Sequence, residues 1–410
     1  MSVYQPTGIK KIFHNAQRFI AKIWISLQPA TQIAITGSQG KTNTTNIISH
    51  ICNNLGSTVV TDLTLDSTFN IPITALKVAP WTNYVVWELG IDHPGEMANH
   101  LQIAHPSIGI ITGISPVHTD KEHMGSLETL IAEKRKLIES LPKTGTAILN
   151  LDDEHVRGMA PYTKAEVKWY GSDDQADVWA EKNSIQVSLE GTKGIVHDDG
   201  QTFEINTKLI DVHHIYNIMA GYLVAKILKP ALDVILFQKI IQEATPLRGR
   251  MSVEKGPLDT ILLNDSLRAN PASTRSGLIT LNKIPYPKGR KIAVIGEMGE
   301  LADPESEHRK TGELIAELQL DYVLCIGPLR KVTIDEAVKH GFPKEKIGYA
   351  ADVFEAADKL KQILKPNDLW YLKGSLLRNY KRIVQLLNGE NVCCHEIMCP
   401  YEHCGYKTAD

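Results

Sequence analysis

Aromatic residues are scarce in this chain, with 7 Phe, 13 Tyr and 6 Trp among 410 residues. Cysteine is scarcer still, at 6. So few thiols in so long a chain exclude a disulfide scaffold. No run of about 18 uncharged apolar residues occurs, which argues against a membrane-spanning helix. Neither sign of charge dominates: 44 basic residues against 47 acidic leave −3. A broad cationic surface for nucleic acid is therefore not expected. The first residues lack the basic, apolar and small-residue series of a secretory signal, so a cytoplasmic location is expected. Apolar content is not lacking, at 43% with 22% charged, which suits a packed core and excludes wholesale disorder. At roughly 100–200 residues per domain, the length predicts two or three domains.

Residues 8–27 read as an amphipathic helix, because Ile9, Ile12, Phe13, Ala16, Phe19, Ile20, Ile23, Trp24 and Leu27 follow helical spacing. Lys10, Lys11, Arg18 and Lys22 lie between them. Such a helix either docks on the domain that follows or lies on a membrane surface. From Thr31 short apolar runs alternate with helical stretches. Strands are expected at Gln32–Thr36, Tyr84–Glu88, Ile108–Gly113 and Ala147–Leu149, in a mostly parallel sheet. Residues 164–210 are more polar and predict an antiparallel patch at its edge. A second unit opens after "TPLRGR", with strands expected at Thr260–Asn264, Lys291–Ile295, Tyr322–Ile326 and Leu369–Leu372. The expected divisions are 1–30, 31–247, 248–390 and 391–410.

"IAITGSQGKTNTT" carries the clearest chemistry. A strand runs into Gly37, Ser38, Gln39, Gly40, Lys41 and Thr42, and a helix follows. Glycines let backbone N–H groups turn toward phosphate, Lys41 adds a point charge and Thr42 offers a hydroxyl to Mg²⁺. The loop is G-x-x-G-K-T rather than the longer general pattern, since position 35 is Ile.

This shortened loop, preceded by Thr36, resembles that of the Mur ligase family. Further segments continue the resemblance over roughly residues 31–385: "VVWELG", "SPVHTDKEHMGSLETLIAEK", "ILNLDD", "HHIYN", "RGR", "NDSLRANP", "VIGEMGEL" and "KGS". The resemblance implies a central P-loop mononucleotide-binding α/β domain with a parallel sheet, plus a C-terminal Rossmann-like α/β domain. It implies an ATP- and Mg²⁺-dependent ligase that joins an amino acid or short peptide to an acceptor carboxylate, as in peptidoglycan precursor synthesis. By the same resemblance Glu88 and Thr42 would hold Mg²⁺. His118 and a carbamylated Lys134 would hold a second ion. Asn217 would contact adenine, Arg250 would stand at the domain junction and Asp265 would lie near the ribose. Asn270 belongs to the same loop as Asp265.

Plainer alternatives accompany these assignments. Glu88 can end a buried strand in a structural ion pair, and His118 can be a surface histidine. Lys134 sits in "EKRK", which reads as a solvated helix face. His308 is as readily an ordinary exposed histidine as a site residue. Full-length family members also carry a UDP-sugar domain before the loop. About 36 residues precede it here, which is too few for such a domain. The acceptor is then either not UDP-linked (polyglutamate, a folate, a lipid-linked precursor or a tetrapyrrole) or held by a companion protein or by the C-terminal parts of this chain. A Mur-like chain that has lost ligation and serves as a partner subunit is a further reading.

Four cysteines fall within the last 18 residues. Cys394, Cys399, His403 and Cys404 have ligand types that suit tetrahedral zinc, although the spacing is wider than the common knuckle. A tail with free thiols is the alternative. Cys52 and Cys325 lie in apolar runs and are expected in the core.

Overall fold

The computed structural model describes residues 9–62, 67–116, 119–120, 123–299, 301, 303–375 and 378–392. The chain divides into two compact units. The first comprises residues up to 185 with 193–207 and 213–244. The second takes 186–192, 208–212 and 245 onward.

The first unit is built on β1 (Thr31–Thr36), β2 (Thr58–Val60), β3 (Tyr84–Glu88), β4 (Ile108–Ile111), β5 (Thr146–Asn150), β6 (Glu166–Gly171), β7 (Val178–Ala180), β8 (Gln186–Ser188), β9 (Gly191–Asp198) and β10 (Gln201–Thr207). The sheet order is β10-β9-β7-β6-β5-β4-β1-β3-β2, with β8 pairing on β9. β1 is central, and almost all of its residues are buried. That is the environment its apolar run predicts, because a parallel strand is covered on both faces. Ile35 pairs with Glu88 and Thr36 with Ile111, so the C-terminal ends of β1, β3 and β4 lie side by side. The loops leaving those strands therefore collect at one edge.

The polar stretch after residue 164 meets the expectation of an antiparallel patch at the edge only in its later part. β6 and β7 continue the parallel sheet, and the antiparallel pairing begins where β9 meets β7. β6 reads as an edge because half of it is only partly covered, yet its register follows β5 residue by residue.

Helices flank this sheet: α1 (Ile9–Ser26), α2 (Lys41–Leu55), α3 (Ser67–Lys77), α4 (Glu96–Leu101), α5 (Leu127–Glu139), α6 (Glu154–Arg157), α7 (His213–Leu228) and α8 (Val234–Glu243). α1 docks beside α3 through buried Ala21 and Ile25. The Trp24 indole N–H donates to the Val78 carbonyl (2.7 Å), and Arg18 donates to the Asn99 carbonyl (2.6 Å). The docked stripe is the less apolar one. The large side chains that set the helical period face outward.

The second unit holds β11 (Ser252–Lys255), β12 (Ile261–Asp265), β13 (Lys291–Gly296), β14 (Tyr322–Ile326), β15 (Ile347–Ala350) and β16 (Leu369–Lys373). Their order is β11-β12-β16-β13-β14-β15, parallel except for β11 against β12. Alternate residues feed two cores, as a period of two requires. Ala293, Ile295, Val323 and Tyr371 enter one core; Ile292, Val294, Leu324 and Trp370 enter the other. Around the sheet lie α9 (Pro271–Lys283), α10 (Pro304–Glu317), α11 (Arg330–Lys339), α12 (Val353–Ile363) and α13 (Lys381–Leu387).

Candidate active site

The loop between β1 and α2 is shaped by two glycines. Gly37 has φ 151°, and a Cβ there would stand 2.0 Å from the Thr112 hydroxyl. Gly40 is left-handed at φ 79° and caps α2 without any side-chain hydrogen bond. The first turn of a helix leaves several backbone N–H groups without intrahelical partners and carries partial positive charge. An uncapped start is therefore available to an anion. Ser38 is tied down from β4's side, its N–H donating to the Gly113 carbonyl (2.7 Å) and its hydroxyl to the Ser115 carbonyl (3.0 Å).

Two lysine amines converge on one carbonyl. Lys41 Nζ donates to the Gly37 oxygen at 2.7 Å, and Lys134 Nζ donates to the same oxygen at 2.9 Å. Lys134 reaches it from α5, whose start is fixed by Ser126 accepting the Thr129 N–H. The "EKRK" run is thus not uniformly solvated: Glu133 and Lys134 are buried, and Lys134 is only 2% exposed. Burial pushes the Lys134 amine well below the usual lysine range. The charge on Lys41 pushes it further down, and Asp92 pulls weakly the other way.

Thr42 donates to Glu88 Oε1 at 3.0 Å. The other carboxylate oxygen, Oε2, is buried without a hydrogen-bond partner. A carboxyl oxygen enclosed in this way, next to a hydroxyl and a row of helix amides, fits a hard divalent cation. Asn217, on α7, accepts from the Thr44 hydroxyl (3.0 Å) through its side-chain oxygen, while its buried Nδ2 has no partner.

His118 lies outside the described residues, as do Cys394, Cys399, His403 and Cys404. Near His118 in sequence, His123 Nδ1 stands 2.8 Å from Asp120, and its ring is 5.4 Å from that of His93. Glu96 accepts the N–H groups of Asp92 and His93, which turns the chain after β3. Asp153 accepts the Ile114 N–H at 2.7 Å and fixes the segment after β4.

In the second unit, Asp265 ends β12 as a buried carboxylate. It accepts from Lys373 Nζ (2.7 Å) and from the Tyr371 hydroxyl (2.9 Å). Burial pushes the Asp265 carboxyl up, against the pull of Lys373 and Arg250. Asn270 accepts the Ser273 N–H and caps α9. His308 is fully buried, which corrects the reading of an exposed histidine. Its Nε2 accepts the Met298 N–H (3.2 Å) and its Nδ1 lies 2.6 Å from the Pro304 carbonyl. Arg330, also buried, donates from Nε and Nη2 to the Gly296 carbonyl (2.9 and 2.7 Å), and Arg378 pairs with Glu297.

Two contributors escaped the motif reading. Asp92 is the acidic group whose charge acts on Lys134, and Thr112 is the wall against Gly37. Asp92 sits four residues after Glu88, just beyond the segment "VVWELG"; Thr112 carries no signal in the sequence.

The pattern described as "Mur ligase middle domain" matches residues 35–225, and "Mur ligase, glutamate ligase domain" matches 249–376. The chain belongs to the Mur ligase family. Members of this family are ATP-dependent ligases that form carbon–nitrogen bonds. This Mur ligase is 28% identical over 382 residues to the UDP-N-acetylmuramoyl-tripeptide--D-alanyl-D-alanine ligase of Mycobacterium tuberculosis, covering 88% of the chain and 74% of that relative. Its fold matches MurF from Acinetobacter baumannii with a TM-score of 0.81 at 22% identity, over 92% of this chain and 81% of that one. It also matches MurF from Thermotoga maritima, solved in complex with ADP, with a TM-score of 0.78 at 20% identity, over 92% and 84%. The β1–α2 loop, Glu88, Lys134 and Asn217 of this Mur ligase all fall within the middle-domain match.

Proposed function

We propose that this Mur ligase uses ATP to activate an acceptor carboxylate as an acyl phosphate, then couples an amino acid or short peptide to it in cell-wall precursor synthesis. The observation that carries this reading is the convergence of Lys41 and a buried, low-pKa Lys134 on the Gly37 carbonyl at the start of α2.

An acceptor carboxylate oxygen attacks the γ-phosphorus and ADP leaves. The amine nitrogen then attacks the acyl carbon, phosphate leaves and a proton is lost. Lys41 and the first-turn amides of α2 hold the phosphates and neutralise charge that spreads as the phosphoryl group moves. Thr42 and Glu88 would hold Mg²⁺, with His118 and a modified Lys134 holding a second ion. When bound, these ions supply charge neutralisation at the phosphate oxygens. Asn217 has an amide donor for the adenine edge.

Lys134 has the chemistry for modification. Burial disfavours the charged form of this amine, and the neutral form is the nucleophile. It attacks carbon dioxide, forms an N–C bond and releases a proton, which leaves a carboxylate where a cation would repel a metal.

Phosphate release from the purified protein, with ATP and Mg²⁺, tests this reading. The panel crosses UDP-linked and UDP-free acceptor carboxylates with single amino acids and D-alanyl-D-alanine. Release should require one acceptor and one amine together. Lys134→Ala should reduce it by at least ~10³-fold, with partial rescue by a small carboxylate. Release from ATP alone would make the protein an ATPase of another kind. An unaffected Lys134→Ala would remove the carbamate.

A further inference from the structure

The outward face of α1 has no counterpart in the ligase reading. Ile12, Phe13, Phe19, Ile20, Ile23 and Leu27 are exposed, from 47% at Ile23 to 72% at Leu27. Their spacing sets them on a single stripe along a helix of 18 residues. The opposite side, with Ala21 and Ile25, is the one that docks. The stripe is therefore not a core face left short of a partner within its own docking contact. Contiguous apolar surface of this kind marks an interaction site.

Charge points to the partner. The sequence of α1 contains no Asp or Glu. Lys11 and Lys22 are exposed and stand three turns apart along the row that borders the stripe, and Arg18 lies on the same row. Lys77, at the end of the neighbouring α3, is exposed as well. Two tryptophans complete the pattern. Trp24 keeps its N–H on the Val78 carbonyl while part of its ring stays exposed, and Trp81, three residues beyond Val78, is 77% exposed. Apolar side chains, cations and indoles in one strip match the acyl boundary, the anionic headgroups and the interface level of a bilayer. A second copy of the chain fits less well. A stable interface takes roughly 20–30 residues a side and is depleted in Lys. The strip offers a single helix face bordered by lysines.

We propose that α1, together with Trp81, is a membrane-surface anchor that lays this protein on anionic lipid without crossing the bilayer. No helix among the described residues is long and apolar enough to span one.

Flotation of the full chain with vesicles tests this. One set is phosphatidylcholine alone and the other is phosphatidylcholine mixed with phosphatidylglycerol. The protein should float with the mixed vesicles, float far less with the neutral ones, and release as salt rises. Phe19→Glu with Ile23→Glu should lower the vesicle affinity by about tenfold or more. Lys11→Gln with Lys22→Gln should lower it several-fold on mixed vesicles only. All four positions are exposed, so an unchanged melting temperature and unchanged nucleotide binding report an intact fold. Absence of flotation with mixed vesicles overturns the proposal. So does flotation that the Phe19 and Ile23 variant leaves intact. A concentration-dependent dimer that this variant splits, without vesicle binding, assigns the stripe to a second copy instead.

Discussion

Lys134 owes its chemistry to enclosure. On a solvated helix it would be an ordinary cation. Here its amine ends in the interior beside Lys41, where a second positive charge is costly and the neutral form is favoured. The motif spacing singles out this lysine, but nothing in "EKRK" tells which of its cations turns inward. That is decided by the packing of α5. His308 makes the same point in the second unit. Its neutral ring uses both nitrogens, one accepting from Met298 and one facing the Pro304 carbonyl. A proton on Nε2 would remove the acceptor and place a charge near Arg330. Burial and Arg330 accordingly lower its pKa from 6.5 to about 4. A depressed histidine contributes stability that is complete above the unfolded pKa. That contribution falls away as pH drops from 6.5 toward 4. Urea unfolding between about pH 7.5 and about pH 4 should therefore show an acid loss of about 3 kcal/mol from this group. The corresponding slope should be missing in His308→Gln, whatever its starting stability.

At the scale of elements, strands with short, mostly apolar runs were legible. Tyr84–Glu88 and Tyr322–Ile326 occur as expected, because a doubly covered parallel strand has little choice of composition. β11 and β15 were not seen: each has four residues and is only partly buried. The periodicity of α1 identified the residues that share a face. It could not tell that the opposite face docks, since the period is blind to which neighbour is available. The phosphate loop was legible for a firmer reason, as its glycines meet a steric demand. Gly37→Ala would set a Cβ 2.0 Å from the Thr112 hydroxyl and strain φ as well. At Gly40 a Cβ would meet nothing closer than 3.6 Å, so only the backbone strain remains. Thermal unfolding should show Gly37→Ala the worse of the two. The expected costs are at least ~2 kcal/mol against about 1 kcal/mol. Equal costs would mean that Thr112 moves aside freely.

At the scale of the molecule, the chain enters its second unit more than once. Val187 and Ile210 belong to the core that also holds Leu263, Ile295 and Tyr371, although they precede residue 245. A cut at the expected boundary therefore does not yield a complete second unit. A fragment beginning at Thr245 should unfold with a free energy lower by on the order of 3–6 kcal/mol than the same unit in the full chain, through the loss of those two side chains. Denaturant titration of the two proteins checks this, and adding 186–212 ahead of the fragment should restore most of the difference. The excursions at 186–192 and 208–212 are not legible in the sequence, because they are too short to declare their core.

The position of β16 has a consequence for synthesis. It is the last strand among the described residues, yet in the second sheet it lies between β12 and β13. A chain emerging from the ribosome can close β1 to β5 early, since those strands lie within its first 150 residues. β12 ends at Asp265 and β13 at Gly296, so both must wait for β16, which begins only at Leu369, to fill the place between them. At ~5–20 residues per second that is a delay of several seconds, during which two apolar edges are open. Slow translation ahead of Leu369 would therefore lengthen exposure of the second unit and leave the first untouched.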